Sequence, residues 1–336
     1  MSAPDEARGP AAAADGGRPA ARPSASAQEV QEAWADTKLA QVLYHDWEAS
    51  TYDEKWSISY DERCQTYAAD RFVAVAGRDG WPHGESLEIG AGTGFFTLNL
   101  ALAGVLGGPL HVTDLSPGMV EAAERNASEA GLVVHGRVAD VEDLPYADAS
   151  FDLVVGHAVL HHVPDVEQAF REIVRVLRPG GRFVICGEPT RYGDRIARTL
   201  SRATWEVSTR ATRLPGLRRS WGRTQRELDA SSHAAALEAV VDLHTFDPHE
   251  LTRAALRGGA IDVSTVTEEL TAAWFGWPVR TFEAAVPDGR LGWRWARFAY
   301  GSWQRLSAVD RVLGRVVPDQ LFYNVSITGR APAPRH

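Results

Sequence analysis

The stretch LEIGAGTGFF, residues 87–96, constrains the fold of this 336-residue chain more than any other feature. A short apolar run, of the kind found in buried strands, leads into alternate glycines, and a helical pattern follows. Glycines at a strand-to-helix turn let backbone N–H groups face a ligand without obstruction by a Cβ atom. The stretch therefore predicts a strand, a ligand-binding turn and a helix, in that order.

The same pattern of strand and helix repeats along the chain. PLHVTDLS precedes a helical segment in which Pro117 lies near the first turn and Gly131 marks the end. The next predicted strands lie within LVVHGRVAD, FDLVVGHAVL and RFVICGEPT, and the segment DVEQAFREIVRVL between the last two is a predicted helix. Strands that alternate with helices predict an α/β fold, with a doubly wound parallel sheet covered by helices on both faces.

The spacing of the glycines separates two classes of nucleotide-binding protein. A dinucleotide fingerprint would need a third glycine at position 95, which is Phe95. The glycines are instead Gly90, Gly92 and Gly94, and Glu88 precedes them. With this acidic-x-Gly-x-Gly-x-Gly pattern the sequence resembles the class I S-adenosylmethionine-dependent methyltransferases, and a nicotinamide-dependent oxidoreductase is disfavoured.

The resemblance implies further cofactor-binding residues at the ends of successive strands. Asp114 ends the second strand, where a carboxylate can accept both ribose hydroxyls, and Asp140 would accept from the adenine amine. Tyr52 would close over the methionine part of the cofactor, with plain helix packing as the alternative. The residues so implied are Tyr52, Glu88, Gly90, Gly92, Gly94, Asp114, Leu115, Met119, Asp140, Val141 and His157.

The resemblance is close over residues 85–190. There the sequence is similar to the group that contains quinone C-methyltransferases and natural-product and sugar O-methyltransferases. The resemblance implies a seven-stranded Rossmann-like sheet, mostly parallel, with an antiparallel C-terminal strand; AIDVSTVTEEL and LFYNVSITG would form the final hairpin. All eleven tryptophans lie outside residues 82–204, in segments expected to attach to the sheet. The expected organisation is a disordered tail at 1–28, a helical lid at 29–80 and a methyltransferase domain at 81–330 with helical cap insertions at about 191–240 and 273–318.

Three histidines, His157, His161 and His162, follow the fourth predicted strand, which is expected to end at residue 156. A metal site is not expected, because adjacent histidines usually point in different directions and no other ligand motif supports one. The resemblance places His157 beside the cofactor's methionine part and one of the paired histidines beside the substrate. A histidine suits removal of a proton from a hydroxyl acceptor, so His161 is the candidate base. For His162, packing and hydrogen bonding within the loop is the preferred interpretation.

The expected activity is transfer of a methyl group from S-adenosylmethionine to a small or lipid-like metabolite, with oxygen preferred over carbon as the acceptor atom. A quinone-type C-methyltransferase and a non-catalytic cofactor-binding regulator remain open. The residues after the fourth strand are GHAV, not the Asn/Asp-Pro-Pro motif of amino-methyltransferases, so that class is disfavoured. A net charge of −9 argues against nucleic acid as a partner.

An arginine-rich segment at residues 191–226 follows the last parallel strand. Helical spacing places Arg191, Arg195, Arg198 and Arg202 on one face and Ile196, Leu200, Ala203 and Val207 on another. Such a helix could hold an anionic substrate, lie on an acidic membrane surface or face solvent, and the sequence leaves these open. The chain has only two cysteines and contains no run of eighteen apolar residues. These two observations predict a cytoplasmic protein.

Overall fold

The computed structural model has an α/β fold built on a single seven-stranded sheet, with helices on both of its faces. The strands are β1 (Ser86–Ile89), β2 (Leu110–Asp114), β3 (Val134–Val138), β4 (Phe151–His157), β5 (Leu177–Pro189), β6 (Ile261–Glu268) and β7 (Asn324–Arg330). The helices are α1 (Thr37–Glu48), α2 (Glu62–Ala76), α3 (Phe95–Leu102), α4 (Pro117–Glu129), α5 (Val166–Val176), α6 (Arg191–Ala211), α7 (Pro215–Trp221), α8 (Pro248–Arg257), α9 (Thr271–Ala285) and α10 (Trp293–Leu313). The structure describes residues 36–49, 52–53, 58–81, 83–225, 241–287 and 289–333, so the tail predicted at 1–28 lies outside the described residues.

The seven strands have the spatial order β3-β2-β1-β4-β5-β7-β6. The first five pair in parallel, and β7 lies antiparallel between β5 and β6. The predicted mostly parallel sheet and its C-terminal hairpin are therefore confirmed. This order places the ends of β1, β2 and β4 side by side, where open α/β sheets bind their ligands.

Both faces of the sheet are covered, as the alternation of strands and helices predicts. On one face, Phe170 and Ile173 of α5 pack with Leu251 of α8 in a fully buried cluster. On the other face, Phe72 of α2 packs with Phe96 of α3. The helix α2 belongs to the predicted lid, so part of that lid is built into the core.

Two strand boundaries differ from the predicted ones. β4 extends by one residue to His157, which pairs with Cys186 and is therefore the last residue of the strand, not the first of the loop. β5 begins at Leu177 and includes Gly180 and Gly181, which the sequence placed in the turn before the strand. A 3-10 turn at Leu160–His162 follows β4 and carries the paired histidines.

The predicted apolar face of the arginine-rich helix is only partly buried. Ile196 and Leu200 of α6 are half-buried, whereas Val207 is 67% exposed. Small residues are covered more deeply, among them Gly193, where an added Cβ would meet the backbone of Phe322, and α6 also packs against α9. The hydrophobic pattern therefore located the covered side of α6 only in its first half.

Asp310 of α10 supplies the N-terminal cap of α9 from outside that helix. Its buried carboxylate accepts hydrogen bonds from the backbone N–H groups of Leu270, Thr271 and Ala272 at 2.9–3.0 Å, and from the Thr271 hydroxyl. These bonds satisfy N–H groups that have no partner within a helix. They also tie α9 to α10.

Replacing Asp310 should destabilise the protein. We expect Asp310→Ala to lower the free energy of unfolding by about 2 kcal/mol, because it removes the cap and leaves buried donors unpaired. Asp310→Asn keeps one acceptor oxygen and should lose about half as much. Urea denaturation of the three proteins provides the measurement, and equal midpoints for Asp310→Ala and the wild type would contradict the expectation.

Candidate active site

A cleft of about 1990 Å³, the main cleft, opens at the carboxyl ends of β1, β2 and β4. α1 and α2 form one wall, and α9 and α10 form another. Of the eleven residues that the sequence assigned to the cofactor, ten line the main cleft, and Gly94 does not. Gly94 precedes α3 with φ of 87°, and a Cβ there would meet Leu98, so its glycine is needed for the turn itself.

The glycine loop is shaped by close approach as well as by backbone conformation. Gly90 and Gly92 have φ of 56° and 53°, a region that residues with a side chain rarely adopt. A Cβ on Gly90 would lie only 2.1 Å from Cγ2 of Val159 in the turn that carries the histidines. At Gly92 the nearest atom to an added Cβ is Cε1 of Tyr52, at 3.8 Å, so backbone and lid leave an open cradle between them.

Two carboxyl side chains, the buried Glu88 and the half-buried Asp114, hold this loop. Oε2 of Glu88 accepts from the Thr97 N–H in the first turn of α3, and burial raises the pKa of Glu88 to about 8. Oδ2 of Asp114 accepts from the Gly92 N–H and Oδ1 from the Ser116 N–H, each at 2.9 Å. Burial also raises the pKa of Asp114, against the effect of these backbone donors. Asp114 thus anchors the loop and lines the main cleft, beside Leu115 and Met119.

The third predicted carboxylate is engaged by the lid. Nζ of Lys38 on α1 lies 2.5 Å from Oδ2 of Asp140 and also contacts Glu142. Val141, beside them, is buried in the core next to the cleft. The sequence did not suggest a role for Lys38, although it is one of only two lysines in the chain. The ion pair ties the lid to the site predicted for adenine.

His157 lies in an aromatic pocket at the end of β4. Its ring centroid lies 5.3 Å from Phe95, 5.4 Å from Phe96 and 6.0 Å from Tyr67. Burial lowers the pKa of His157 to about 4, so the ring is neutral at pH 7. Its Nε2 atom is buried without a hydrogen-bond partner among the described residues. Because His157 also lines the main cleft, this unpaired nitrogen fits a polar group of a ligand bound there, such as the cofactor.

His161 is held by a carboxylate that the sequence analysis missed. Glu188, fully buried at the end of β5, accepts from the N–H groups of Val159 and Leu160, both at 2.8 Å, and of His161 at 3.1 Å. Its Oε2 also lies 2.9 Å from Nδ1 of His161. The carboxylate thus favours a proton on Nδ1 and leaves Nε2, which lies 3.9 Å from Oδ1 of Asp242, as the acceptor of a residue that lines the main cleft. The signal available in the sequence was an acidic residue directly after a buried apolar strand.

The same contact sets the charge state of the pair. Burial alone would lower the pKa of His161, but the hydrogen bond and charge of Glu188, together with the charges of Asp242 and Asp194, outweigh it, so the pKa lies above the ordinary value of 6.5. Burial alone would likewise raise the pKa of Glu188, and His161 reverses that effect. A histidine with a raised pKa is a stronger proton acceptor than free imidazole, once it is deprotonated.

His162 has different surroundings from His161. Its Nδ1 lies 3.0 Å from the Val241 carbonyl oxygen, and burial together with His161 and His45 holds its pKa well below the usual value. This geometry agrees with a packing role within the loop. The two rings lie close together, 3.9 Å between centroids, whereas the sequence analysis expected adjacent histidines to diverge.

His161, His162 and Asp242 each offer a ligand atom, and these atoms lie within 4.8 Å of one another, a geometry that a metal ion could use. The carboxylate of Asp242 is also 3.3 Å from the Arg198 guanidinium, and each histidine has one ring nitrogen engaged by Glu188 or by Val241. Ion pairing and hydrogen bonding therefore account for this cluster without an ion. The absence of a metal in the reaction stays a prediction.

Comparison with known proteins places this geometry in a family. Residues 87–185, from β1 through most of β5, match the family described as methyltransferase domain. The chain carries a class I S-adenosylmethionine-dependent methyltransferase domain. The matched range contains the glycine loop, Asp114, Asp140 and the paired histidines, whereas the lid and α6 to α10 lie outside it.

Curated relatives cover only parts of the chain. An uncharacterized 37.1 kDa protein of transposon TN4556 from Streptomyces fradiae is 36% identical over 178 residues, which are 52% of this chain and 49% of that protein. A demethylmenaquinone methyltransferase from Clavibacter sepedonicus is 40% identical over 145 residues, 41% of this chain and 54% of the relative. The chain thus spans about half the length of these relatives.

Solved structures share the fold across most of the chain. Phosphoethanolamine N-methyltransferase 2 from Haemonchus contortus is 17% identical with a TM-score of 0.51, over 88% of this chain and 59% of its own. The cyclase SpnF is 18% identical with the same TM-score, over 89% of this chain and 97% of its own. At these identities the likeness concerns the fold alone.

Proposed function

We propose that the protein transfers a methyl group from S-adenosylmethionine to a hydroxyl oxygen of a small, lipid-like metabolite. The observation that carries this proposal is the Glu188–His161 pair, which presents Nε2 of His161 to the main cleft beside the glycine loop. A base at this position has a purpose only if the acceptor must lose a proton. His161 lies within the residues that match the methyltransferase domain, so the proton transfer would accompany methyl transfer.

The size and lining of the main cleft support an amphiphilic acceptor. A volume of about 1990 Å³ exceeds what the cofactor alone would fill, since small-molecule sites generally measure about 300–1,000 Å³. The wall opposite the glycine loop combines aromatic rings such as Trp277 and Trp303 with arginines such as Arg297 and Arg311. This combination suits an acceptor with an apolar body and an anionic group.

The proposed mechanism needs little from the protein beyond alignment and one proton transfer. Bound S-adenosylmethionine would supply an activated methyl sulfonium, whose methyl–sulfur bond would break in an in-line displacement that leaves S-adenosylhomocysteine. Nε2 of His161 takes the proton of the acceptor hydroxyl as the new C–O bond forms. Glu188 stabilises the resulting positive ring through Nδ1. His157 stays neutral and offers its unpaired Nε2 to the cofactor's polar end.

Methylation at carbon is a second candidate. It is favoured by the 40% identity to the Clavibacter sepedonicus demethylmenaquinone methyltransferase, which is confined to 145 residues. In that case His161 would deprotonate the ring hydroxyl that activates the carbon nucleophile. The atom that carries the label distinguishes the two candidates.

The proposal is tested by offering the protein methyl-labelled S-adenosylmethionine and a fractionated extract of Streptomyces fradiae. We expect label in a lipid or small-molecule fraction with wild type, and none with Asp114→Ala. NMR of the labelled product then assigns the methyl to oxygen or carbon. Label in RNA or protein, or tight cofactor binding without any transfer, would overturn the proposal, and the second result would favour a regulatory role.

A further inference from the structure

One surface of the protein is rich in arginine. It consists of residues 210–223, which include α7, and residues 289–298 at the start of α10; we call it the arginine–tryptophan patch. Neither segment contains an aspartate or glutamate, although the chain carries a net charge of −9. Its exposed arginines are Arg210, Arg213, Arg218, Arg219, Arg290, Arg294 and Arg297.

The patch also exposes large apolar side chains. Trp293 is 69% exposed, Leu214 57% and Phe298 56%. Single exposed apolar residues are ordinary on a protein surface. Several of them in one patch are typical of a surface that binds a partner. Arginine beside tryptophan and leucine is the composition of surfaces that rest in the headgroup region of a bilayer.

The two segments form one continuous surface. The guanidinium of Arg290 lies 4.5 Å from the ring centroid of Trp221, and Nε of Arg223 donates to the Val286 carbonyl at 2.6 Å. These contacts join α7 to the turn between α9 and α10. Trp293 and Arg297 belong to the patch and also line the main cleft, so the patch lies at a mouth of the cleft.

The first turns of α6 also carry arginines, but two of these are paired with acidic residues. Arg191 pairs with Glu250 at 2.6 Å, and Arg198 pairs with Asp194 at 2.6 Å and with Asp242. These ion pairs neutralise Arg191 and Arg198. Arg210 at the end of α6 is paired as well, with Glu206 at 3.1 Å, so the positive charge of the patch lies on α7 and at the start of α10.

We propose that the arginine–tryptophan patch docks on an anionic lipid bilayer and admits an amphiphilic acceptor directly into the main cleft. None of the described helices combines the length and apolarity needed to cross a membrane, so the contact would be peripheral. Arginines would bind anionic headgroups, and Trp293, Leu214 and Phe298 would enter the interfacial layer. Delivery of the acceptor rests on the proposed function, whereas bilayer binding does not.

Sedimentation with vesicles tests the docking without any turnover. We expect the full-length protein to bind phosphatidylglycerol-containing vesicles strongly, neutral phosphatidylcholine vesicles weakly, and both less at high salt. Arg218→Glu with Arg219→Glu should weaken binding to anionic vesicles by about 100-fold, because two attractions become repulsions. Trp293→Ser should weaken it by about tenfold through the lost apolar contact.

Arg125→Glu with Arg253→Glu is the matched control, since it reverses two exposed arginines outside the patch. This control should bind as wild type does, and S-adenosylhomocysteine binding shows that every variant is folded. Equal loss in control and patch variants, no binding to anionic vesicles, or binding of single-stranded RNA in preference to vesicles would overturn the proposal. Patch-dependent vesicle binding without methyl transfer would leave the docking intact and refute only the proposed function.

Discussion

Asp114→Ala is expected to weaken S-adenosylhomocysteine binding by at least about 100-fold, because it removes two interactions at once. The carboxylate lines the main cleft at the end of β2, where it would accept the ribose hydroxyls. It also holds the glycine loop through the Gly92 N–H. Without it, the ligand loses charged hydrogen bonds and the loop loses the contact that fixes its shape.

Isothermal titration of S-adenosylhomocysteine measures this effect. Asp114→Asn should fall between wild type and Asp114→Ala, because one amide oxygen can still accept while the amide nitrogen opposes an N–H donor. Asp79→Ala is the control, since it removes an exposed carboxylate that does not line the main cleft. A dissociation constant for Asp114→Ala within about threefold of wild type would refute the assignment of Asp114 to the cofactor.

Most of the sheet was predictable because its signals are local. Strand runs, helix ends and the glycine turn each lie within some ten residues, and Pro117 begins α4 as the sequence indicates. The site residues at strand ends follow from the same signals, because parallel strands bring their carboxyl ends to one edge. Asp114 and His161 could therefore be placed together from sequence.

Contacts between distant segments could not be predicted in this way. Glu188 meets the turn at Val159 to His161 across 27 to 29 residues, and Lys38 meets Asp140 across 102. Neither partner is marked by a periodic pattern. The second half of the predicted apolar face of α6 is exposed for a related reason: which side of a helix is covered depends on distant elements, here α9 and the residues before β7.

The pairing of His161 with Glu188 leads to a sharper test of the mechanism than either residue alone. His161→Asn should lower kcat on the acceptor found in the labelling experiment by about 100-fold or more, the usual contribution of a general base. His162→Asn, the matched control on the same turn, should cost less than about tenfold, because the only hydrogen bond of its ring among the described residues goes to a backbone carbonyl, which an amide can also bind. Comparable losses in the two variants would show that loop packing, not proton transfer, explains the effect.

The pH dependence separates proton transfer from support of the loop. Because Glu188 raises the pKa of His161, the accepting form accumulates only as pH rises above the ordinary value of 6.5, and wild-type kcat should rise with pH in that range. Glu188→Gln removes the charge that favours the protonated ring, so its lower maximal rate should be reached at lower pH. If Glu188 only braced the turn, the rate would fall while the pH profile stayed in place. In the double variant with His161→Asn, Glu188→Gln should add little further loss, because a positioning residue has no effect once the group it positions is gone.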